Sequence, residues 1–365
     1  MTIRKRRLFY LHGFDPRGAR HYLSLYRDQA EKQQHAEDVH YRIETEEAVR
    51  SRLNIRFTEN DQTTETTYQF LSWDDMVSEY MKTPLAGVLA DTIKAIPWYW
   101  QDGFRLRCRK ASKGMYVSLW LGYLSLLVPV AATALALLLT LIQVMSPLSL
   151  VLALTAISLI YIRLNRRYNL LWLLRSFNFN YKIGNEPDLF SLRMTEMADI
   201  VEASLRDGDY DEAMLVNHCF GSSLINMLLA ELASRPAFKG RQLSVVTLAQ
   251  VSPALLWTTA WYPTMPEIAD TIPLVHVDYS SPADGVCFPF FRLKPESDQL
   301  ISQLRSPKFH TLFDEKKYRR IIKKNKLRVH FQYLMASDYP ANYDFFRLTA
   351  GPESLLESIR KYQDT

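Results

Sequence analysis

One short segment, residues 213–224, combines residue types and a spacing that suit nucleophilic chemistry. It reads AMLVNHCFGSSL, so an apolar strand leads into Cys219 and a helix begins just after it. A cysteine at a helix N-terminus meets partial positive charge, which favours the reactive thiolate. The segment therefore makes Cys219 a candidate nucleophile, although a lone cysteine is more often a small buried apolar residue.

The same segment resembles the nucleophile elbow of the α/β-hydrolase superfamily, G-x-S-x-G, with Cys219 in the serine position. Gly221 matches the second glycine, whereas Asn217 stands where the first glycine is usual. An early strand that ends in His-Gly is also a family feature, and here LFYLHGF precedes the first predicted helix. The resemblance implies that the backbone amides of Phe14 and Phe220 form an oxyanion hole.

The family's chain order is nucleophile, acid, histidine. The resemblance places the acid at Asp284, in a Ser-Pro-Ala-Asp-Gly loop after a predicted strand. The alternative is that Asp284 only forms the turn. The family usually places its histidine just after the last strand, and residues 336–344 contain none. His330 is the preferred base because it belongs to the predicted last strand, with a hydrogen-bonded core histidine as its alternative role. His310, in a loop, is the second candidate base.

Strands alternate with helices along the charged parts of the chain. Period-2 alternation and apolar runs predict strands at 7–11, 39–43, 53–57, 67–73, 213–216, 243–248, 274–279 and 327–335. Helical periodicity predicts helices at 18–34, 191–205 and 220–233. This alternation is typical of an α/β fold with a mostly parallel sheet. The resemblance implies more specifically that the sheet is α/β-hydrolase-like.

A single stretch, residues 114–162, contains none of the 44 basic and 39 acidic residues of the chain. Residues 115–144 are long enough to span a bilayer, which takes roughly 20 apolar residues. A Ser-Pro break follows, and the shorter apolar run 148–162 could return as a second helix. The sequence thus predicts a transmembrane hairpin within one α/β domain, and the alternative is a buried hairpin in a soluble core.

The charges beside the hairpin predict its orientation. Basic residues flank both ends: Arg105, Arg107, Arg109, Lys110, Lys113, Arg163, Arg166, Arg167 and Arg175. Excess basic charge on both sides predicts that both ends of the hairpin, and so both termini of the chain, lie in the cytoplasm. The N-terminal sequence does not resemble a secretory signal. We therefore predict a two-helix protein of the cell inner membrane, with residues 1–110 and 169–365 forming the hydrolase domain around the hairpin at 111–168.

Composition also bears on partners and cofactors. Residues 316–328 hold eight basic residues in thirteen, which favours contact with anionic lipid headgroups over the alternative of a solvated helix face. No nucleic acid-binding motif accompanies them. Three scattered cysteines exclude a disulfide scaffold and lack zinc spacing, so neither a metal nor a cofactor is predicted.

Together these features predict a membrane-anchored acyl hydrolase or acyltransferase that faces the cytoplasm. Its substrate would be a small or amphiphilic, lipid-like ester or thioester, attacked through a Cys219–His330–Asp284 triad. The alternative is a non-catalytic scaffold with a hydrolase fold, which Asn217 and the absence of a histidine in residues 336–344 favour. A channel or transporter has little support, because the two apolar runs hold no charge. The sequence carries no signal of oligomeric state.

Overall fold

The computed structural model of the chain describes residues 2–36, 40–49, 51–292, 297–324 and 326–361. Within these residues one sheet is built from β1 (Lys5–Leu11), β2 (Arg42–Val49), β3 (Arg52–Glu59), β4 (Gln62–Leu71), β5 (Glu212–His218), β6 (Leu243–Leu248), β7 (Leu274–Tyr279) and β8 (Leu300–Arg305). The strand order is β2-β3-β4-β1-β5-β6-β7-β8, and every neighbouring pair is parallel except the two that involve β3.

Helices occupy most of the remaining described chain. They are α1 (Gly18–Gln34), α2 (Asp74–Met81), α3 (Leu85–Trp100), α4 (Asp102–Ala111), α5 (Lys113–Leu141), α6 (Pro147–Tyr168), α7 (Leu170–Asn185), α8 (Pro187–Leu205), α9 (Gly221–Ala233), α10 (Pro253–Leu256), α11 (Met265–Ala269), α12 (Phe309–Leu312), α13 (Glu315–Lys324), α14 (Lys326–His330), α15 (Phe345–Ala350) and α16 (Leu355–Lys361). Short 3₁₀ turns cover Pro236–Phe238 and Gln332–Leu334.

The central strands are buried because helices cover both faces of the sheet. Every residue of β5, β6 and β7 is buried, as expected for parallel strands inside an α/β layer. The described core residues form two clusters: α9 and the helices between β4 and β5 contribute to one, and α1 and α12–α16 contribute to the other. The fold is therefore a three-layer α/β arrangement.

The sheet has a topological switch point between β1 and β5. After β1 the chain forms β2, β3 and β4 on one side, whereas after β5 it forms β6, β7 and β8 on the other. Leu11 of β1 lies opposite Asn217 of β5, so the two strands end side by side. Open α/β sheets bind ligands in the crevice at such a point, beyond the carboxyl ends of the strands.

The predicted α/β class with a mostly parallel sheet is confirmed, and so are the bounds of α1, β6 and β7. The strand predicted at 39–43 overlaps β2 only from residue 42, and residue 39 lies outside the described residues. The strand predicted at 327–335 is wrong: α14 and a 3₁₀ turn occupy it. A short apolar run fits a strand and a buried helix equally well, because the strand and helix periods cannot be told apart over so few residues. The last strand is β8, which the sequence did not reveal because its side chains are half-exposed at an edge.

Two helices, α5 and α6, are long and apolar enough to cross a membrane, judged by length and composition. None of the described residues of α6 is buried, which excludes the alternative of a buried hairpin in a soluble core. The first half of α5 instead packs on α7, where a Cβ on Gly122 would lie 3.3 Å from the Leu174 amide nitrogen. The apolar hairpin thus leaves the domain after its first few turns.

Candidate functional site

Cys219 lies in the sharp turn between β5 and α9. Its φ of +57° is in the left-handed region that non-glycine residues avoid, so the surrounding structure must hold it there. The Cys219 amide donates to the Leu248 carbonyl oxygen (2.9 Å). The Ser222 hydroxyl donates to the Cys219 carbonyl oxygen (2.7 Å) and accepts from the Val251 amide (2.8 Å). These bonds lock the turn and present Cys219 at the switch point.

Two glycines bring the ends of β1 and β5 into contact at this turn. A Cβ on Gly13 would lie 2.8 Å from the Cys219 Cβ and 3.4 Å from its Sγ. A Cβ on Gly221 would lie 2.4 Å from the Leu11 carbonyl oxygen. Both positions require glycine because neighbouring backbone or side-chain atoms occupy the space of a Cβ, which explains the His-Gly and Cys-x-Gly spacing in the sequence.

We expect Gly221→Ala to destabilise the protein by about 2–3 kcal/mol, since the added methyl would force the end of β1 away from the turn. Gly103→Ala is the matched control, because no atom lies within 4 Å of its Cβ position. Thermal unfolding of the detergent-solubilised variants measures both changes. Equal midpoints for the two variants would contradict the close approach.

Asp284 and His330, which are 46 residues apart in the sequence, form a buried pair. His330 Nδ1 lies 2.7 Å from Asp284 Oδ2, and each residue is only 1% exposed. Asp284 occupies the loop after β7, and its second oxygen accepts from the Val286 amide (3.0 Å). His330 ends α14, beyond the last strand β8, whereas His310 is exposed on α12. The structure therefore brings Asp284 together with His330 and leaves His310 apart.

The charges of this pair stabilise each other. Burial lowers the pKa of His330, but the negative Asp284 and the nearby Cys219 outweigh it and hold the pKa well above its usual value. Burial raises the pKa of Asp284, but the charge and hydrogen bond of His330 outweigh it and hold the pKa below its usual value. Both shifts favour an imidazolium–carboxylate pair near neutral pH.

The second nitrogen of His330 is not used by Asp284. Nε2 is buried, and the Cys219 thiol beside it contributes to the raised pKa of His330. His330 and Cys219 line one small void together with Gly13 and Phe14. A histidine that is oriented through Nδ1 and leaves Nε2 beside a thiol has the arrangement needed to exchange a proton with that thiol or with a substrate.

His218, for which its position beside Cys219 in the sequence indicates a structural role, supports the candidate base. His218 Nε2 donates to the His330 carbonyl oxygen (2.8 Å), and the two ring centroids are 4.8 Å apart. Burial lowers the pKa of His218 to about 3, so it stays neutral beside the charged His330. Its adjacency to Cys219 in the sequence was the available signal. His218 is a positioning residue for the candidate base.

Asn217, which stands where the nucleophile-elbow pattern has its first glycine, is accommodated without strain. It is absent from the described residues with positive φ, so the turn does not require glycine there. Its side-chain amide donates to the Val246 carbonyl oxygen and to the Thr247 hydroxyl, each at 3.1 Å. The asparagine therefore links β5 to β6 directly behind the turn.

Two backbone amides beside Cys219 are candidates to hold an oxyanion. In the described part of the chain, no hydrogen bond uses the amide of Phe14 or of Phe220. The Phe14 carbonyl oxygen accepts from Trp172 Nε1 (3.2 Å), and the Phe14 and Phe220 ring centroids are 5.9 Å apart. The loop after β1 and the first residue after Cys219 thus bring two unused donors to the same place.

The site is closed in this conformation. Cys219 is 3% exposed. A second void beside it, lined by Met115 of α5 and Trp172 of α7, has a volume of about 10 Å³. That volume is roughly what one water needs. Helices next to the apolar hairpin therefore cover the thiol, and a substrate can enter only if they move.

Other buried titratable groups lie outside this cluster. Burial raises the pKa of Asp278 on β7 to about 8, so this carboxyl is protonated at neutral pH. Burial also raises the pKa of the Cys108 thiol to about 12 and that of Cys287 well above its usual value. Among the described residues, no group of three His, Cys, Asp or Glu side chains is placed to hold a metal ion.

A scan against protein-family models and searches of curated proteins and of solved structures find no match to this chain. The geometry of the chain's own residues therefore carries the functional argument.

Proposed function

We propose that the chain is a membrane-anchored acyl hydrolase or acyltransferase of the α/β-hydrolase type. Cys219 is the nucleophile, His330 the general base and acid, and Asp284 the residue that orients His330. The observation that carries the proposal is the buried Asp284–His330 pair beside a thiol held in a left-handed turn at the switch point. Strain of this kind persists only where the surrounding structure maintains it and clusters at functional sites.

In the first half-reaction the Cys219 thiolate attacks the carbonyl carbon of an ester or thioester. The carbonyl π electrons move to oxygen, and the amides of Phe14 and Phe220 donate to the resulting oxyanion. When the tetrahedral intermediate collapses, the bond to the leaving group breaks and His330 Nε2 gives it a proton. The products are a Cys219 thioester, a free alcohol or thiol, and a neutral His330.

In the second half-reaction His330 Nε2 accepts a proton from water or from an acceptor alcohol. The acceptor oxygen attacks the thioester carbonyl, and the Cys219 thiolate leaves. Water yields a carboxylic acid, whereas an alcohol yields a new ester. A thioester intermediate that is shielded from bulk water favours transfer over hydrolysis, and the closed site is consistent with that.

The apolar hairpin supports a location at the cell inner membrane. Its two helices are long enough to span, and basic residues on both flanks favour cytoplasmic ends. The α/β domain then faces the cytoplasm with its site against the bilayer surface. This position is the reason for proposing an amphiphilic acyl substrate.

The small volume around Cys219 favours the alternative of a non-catalytic scaffold, so labelling should separate the two. If the site works as proposed, iodoacetamide alkylates Cys219 well ahead of Cys108 and Cys287, because only Cys219 has an imidazolium partner. Peptide mapping of the full-length protein in detergent at successive times measures the order. Equal, slow alkylation of all three thiols would favour the scaffold.

A further inference from the structure

We propose that the open cleft next to the candidate site binds the phosphate-bearing head of an amphiphilic acyl ester or thioester. This inference rests on the proposed function and names the substrate class of that site. It depends on the charge of the cleft, on its position next to Cys219 and on its position at the end of the apolar hairpin.

The cleft is large and its lining is basic. It offers about 1180 Å³ between α1 and the segment α13–α14, which exceeds the volume of a typical small-molecule pocket. Five lysine or arginine side chains line it: Arg17, Lys32, Lys317, Arg320 and Arg328. A large, open space with this basic lining suits an anionic ligand better than a neutral one.

Acidic residues neutralise only part of this charge. Arg17 pairs with Asp15 and Lys317 pairs with Asp338, each at 2.5 Å. Among the described residues, no ion pair uses the other three lining cations, Lys32, Arg320 and Arg328. Three unpaired cations around one cavity match the charge of a phosphate group, which guanidinium and ammonium groups bind through charge-assisted hydrogen bonds.

The cleft adjoins the small void that contains the nucleophile. Phe14, Asp15, Trp172 and Phe331 line both spaces. The ring centroids of Phe14 and Trp172 are 6.1 Å apart, so these side chains form part of the wall between the cleft and Cys219. A head bound in the cleft would therefore place its acyl group against this wall, and the acyl carbonyl would reach Cys219 when the side chains move apart.

The cleft also opens where the apolar hairpin ends. Asn169, the first residue after α6, lines it, as does Trp172 of α7. The last turn of α6 carries Arg166 and Arg167, which fits the headgroup layer of a bilayer. Two sources of the same chemistry can reach this position: a membrane lipid with a phosphate head, or a soluble thioester of a phosphorylated carrier.

Direct binding of uncleavable probes to the full-length protein in neutral detergent tests the proposal. The probes are 1-O-hexadecylglycerol 3-phosphate, the matched neutral 1-O-hexadecylglycerol, and S-hexadecyl-coenzyme A, each measured by calorimetry. We expect at least one phosphate-bearing probe to bind about tenfold more tightly than the neutral one, as expected for one or two added charge-assisted contacts. The tighter of the two identifies the source.

Variants of two adjacent arginines provide the matched control. Arg320 lines the cleft, whereas Arg319 lies outside it and pairs with Glu315 at 2.5 Å. Arg320→Gln should remove most of the preference for phosphate, and Arg319→Gln should preserve it. Equal binding of neutral and phosphate-bearing probes, or equal losses in the two variants, would overturn the cleft assignment.

This binding assay is independent of turnover. A phosphate preference that depends on Arg320, in a protein that cleaves no ester or thioester, would support the cleft and refute the proposed enzyme. Cleavage of short neutral esters without any phosphate preference would refute the cleft and support the enzyme.

Discussion

Cys219→Ala is expected to lower kcat/KM for short acyl esters and thioesters by at least about 10⁴-fold, because no covalent intermediate can form without the nucleophile. Alanine fits the turn sterically, since it keeps the Cβ of Cys219 beside Gly13 and removes only the Sγ. The loss should therefore be one of chemistry and not of folding. Steady-state assays of the purified, detergent-solubilised protein measure it, with thermal unfolding as the check on the fold.

Cys108→Ala is the matched control for this variant. Cys108 is as buried as Cys219 but lies in α4, and burial alone raises the pKa of its thiol. It should retain the wild-type kcat/KM. Undiminished turnover by Cys219→Ala would remove Cys219 from the mechanism.

Asp284→Asn is expected to lower kcat/KM by roughly 10²–10³-fold, since His330 would lose both its orientation and the charge that stabilises its imidazolium. The variant should also shift the pH profile. Without the negative charge of Asp284, burial lowers the pKa of His330. The imidazolium is then lost at a lower pH, so the alkaline limb of the kcat/KM profile should move to lower pH. A pH series of kcat/KM for both proteins measures the shift.

The stability of the pair follows the same signs. The raised pKa of His330 adds stability that is present at low pH and is lost as pH rises through its folded-state pKa. The lowered pKa of Asp284 adds stability that is lost on acidification.

Asp278→Asn is the control for the pH profile, because Asp278 is already protonated at neutral pH. If the alkaline limb of kcat/KM does not move in Asp284→Asn, the Asp284–His330 pair does not determine that limb.

The local part of the site could be predicted from the sequence. Strand β5, the turn at Cys219 and helix α9 are contiguous, and their apolar run and Gly221 specify them within a dozen residues. The contact of Gly13 with Cys219 follows from parallel strands that end at the same edge of the sheet. These features depend on short-range sequence and on strand adjacency alone.

The long-range part could not be predicted. His330 was assigned to a strand because residues 327–335 form a short apolar run, yet tertiary packing makes them helical. The Asp284–His330 pair depends on how a loop and the end of a distant helix converge, which no spacing reveals. The covering of Cys219 by α5 and α7 depends on packing between helices, and the sequence showed only that α5 is apolar.

The hairpin is coupled to the site more closely than its composition suggested. The Ser118 hydroxyl of α5 donates to the Gly285 carbonyl oxygen (2.8 Å), directly after Asp284. A Cβ on Gly114 would lie 3.0 Å from the Gly285 Cα. The start of the apolar hairpin and the loop of the candidate acid are therefore packed directly against each other.

The central claim, that Cys219 carries an acyl group during turnover, is tested most directly by trapping that intermediate. The full-length protein is mixed with a short acyl thioester, quenched in acid and analysed by peptide mass spectrometry. The account predicts one acyl mass added to the peptide containing Cys219, lost on treatment with hydroxylamine and absent from Cys219→Ala. Turnover of the thioester with no adduct on Cys219, or with the adduct on another residue, would contradict the account.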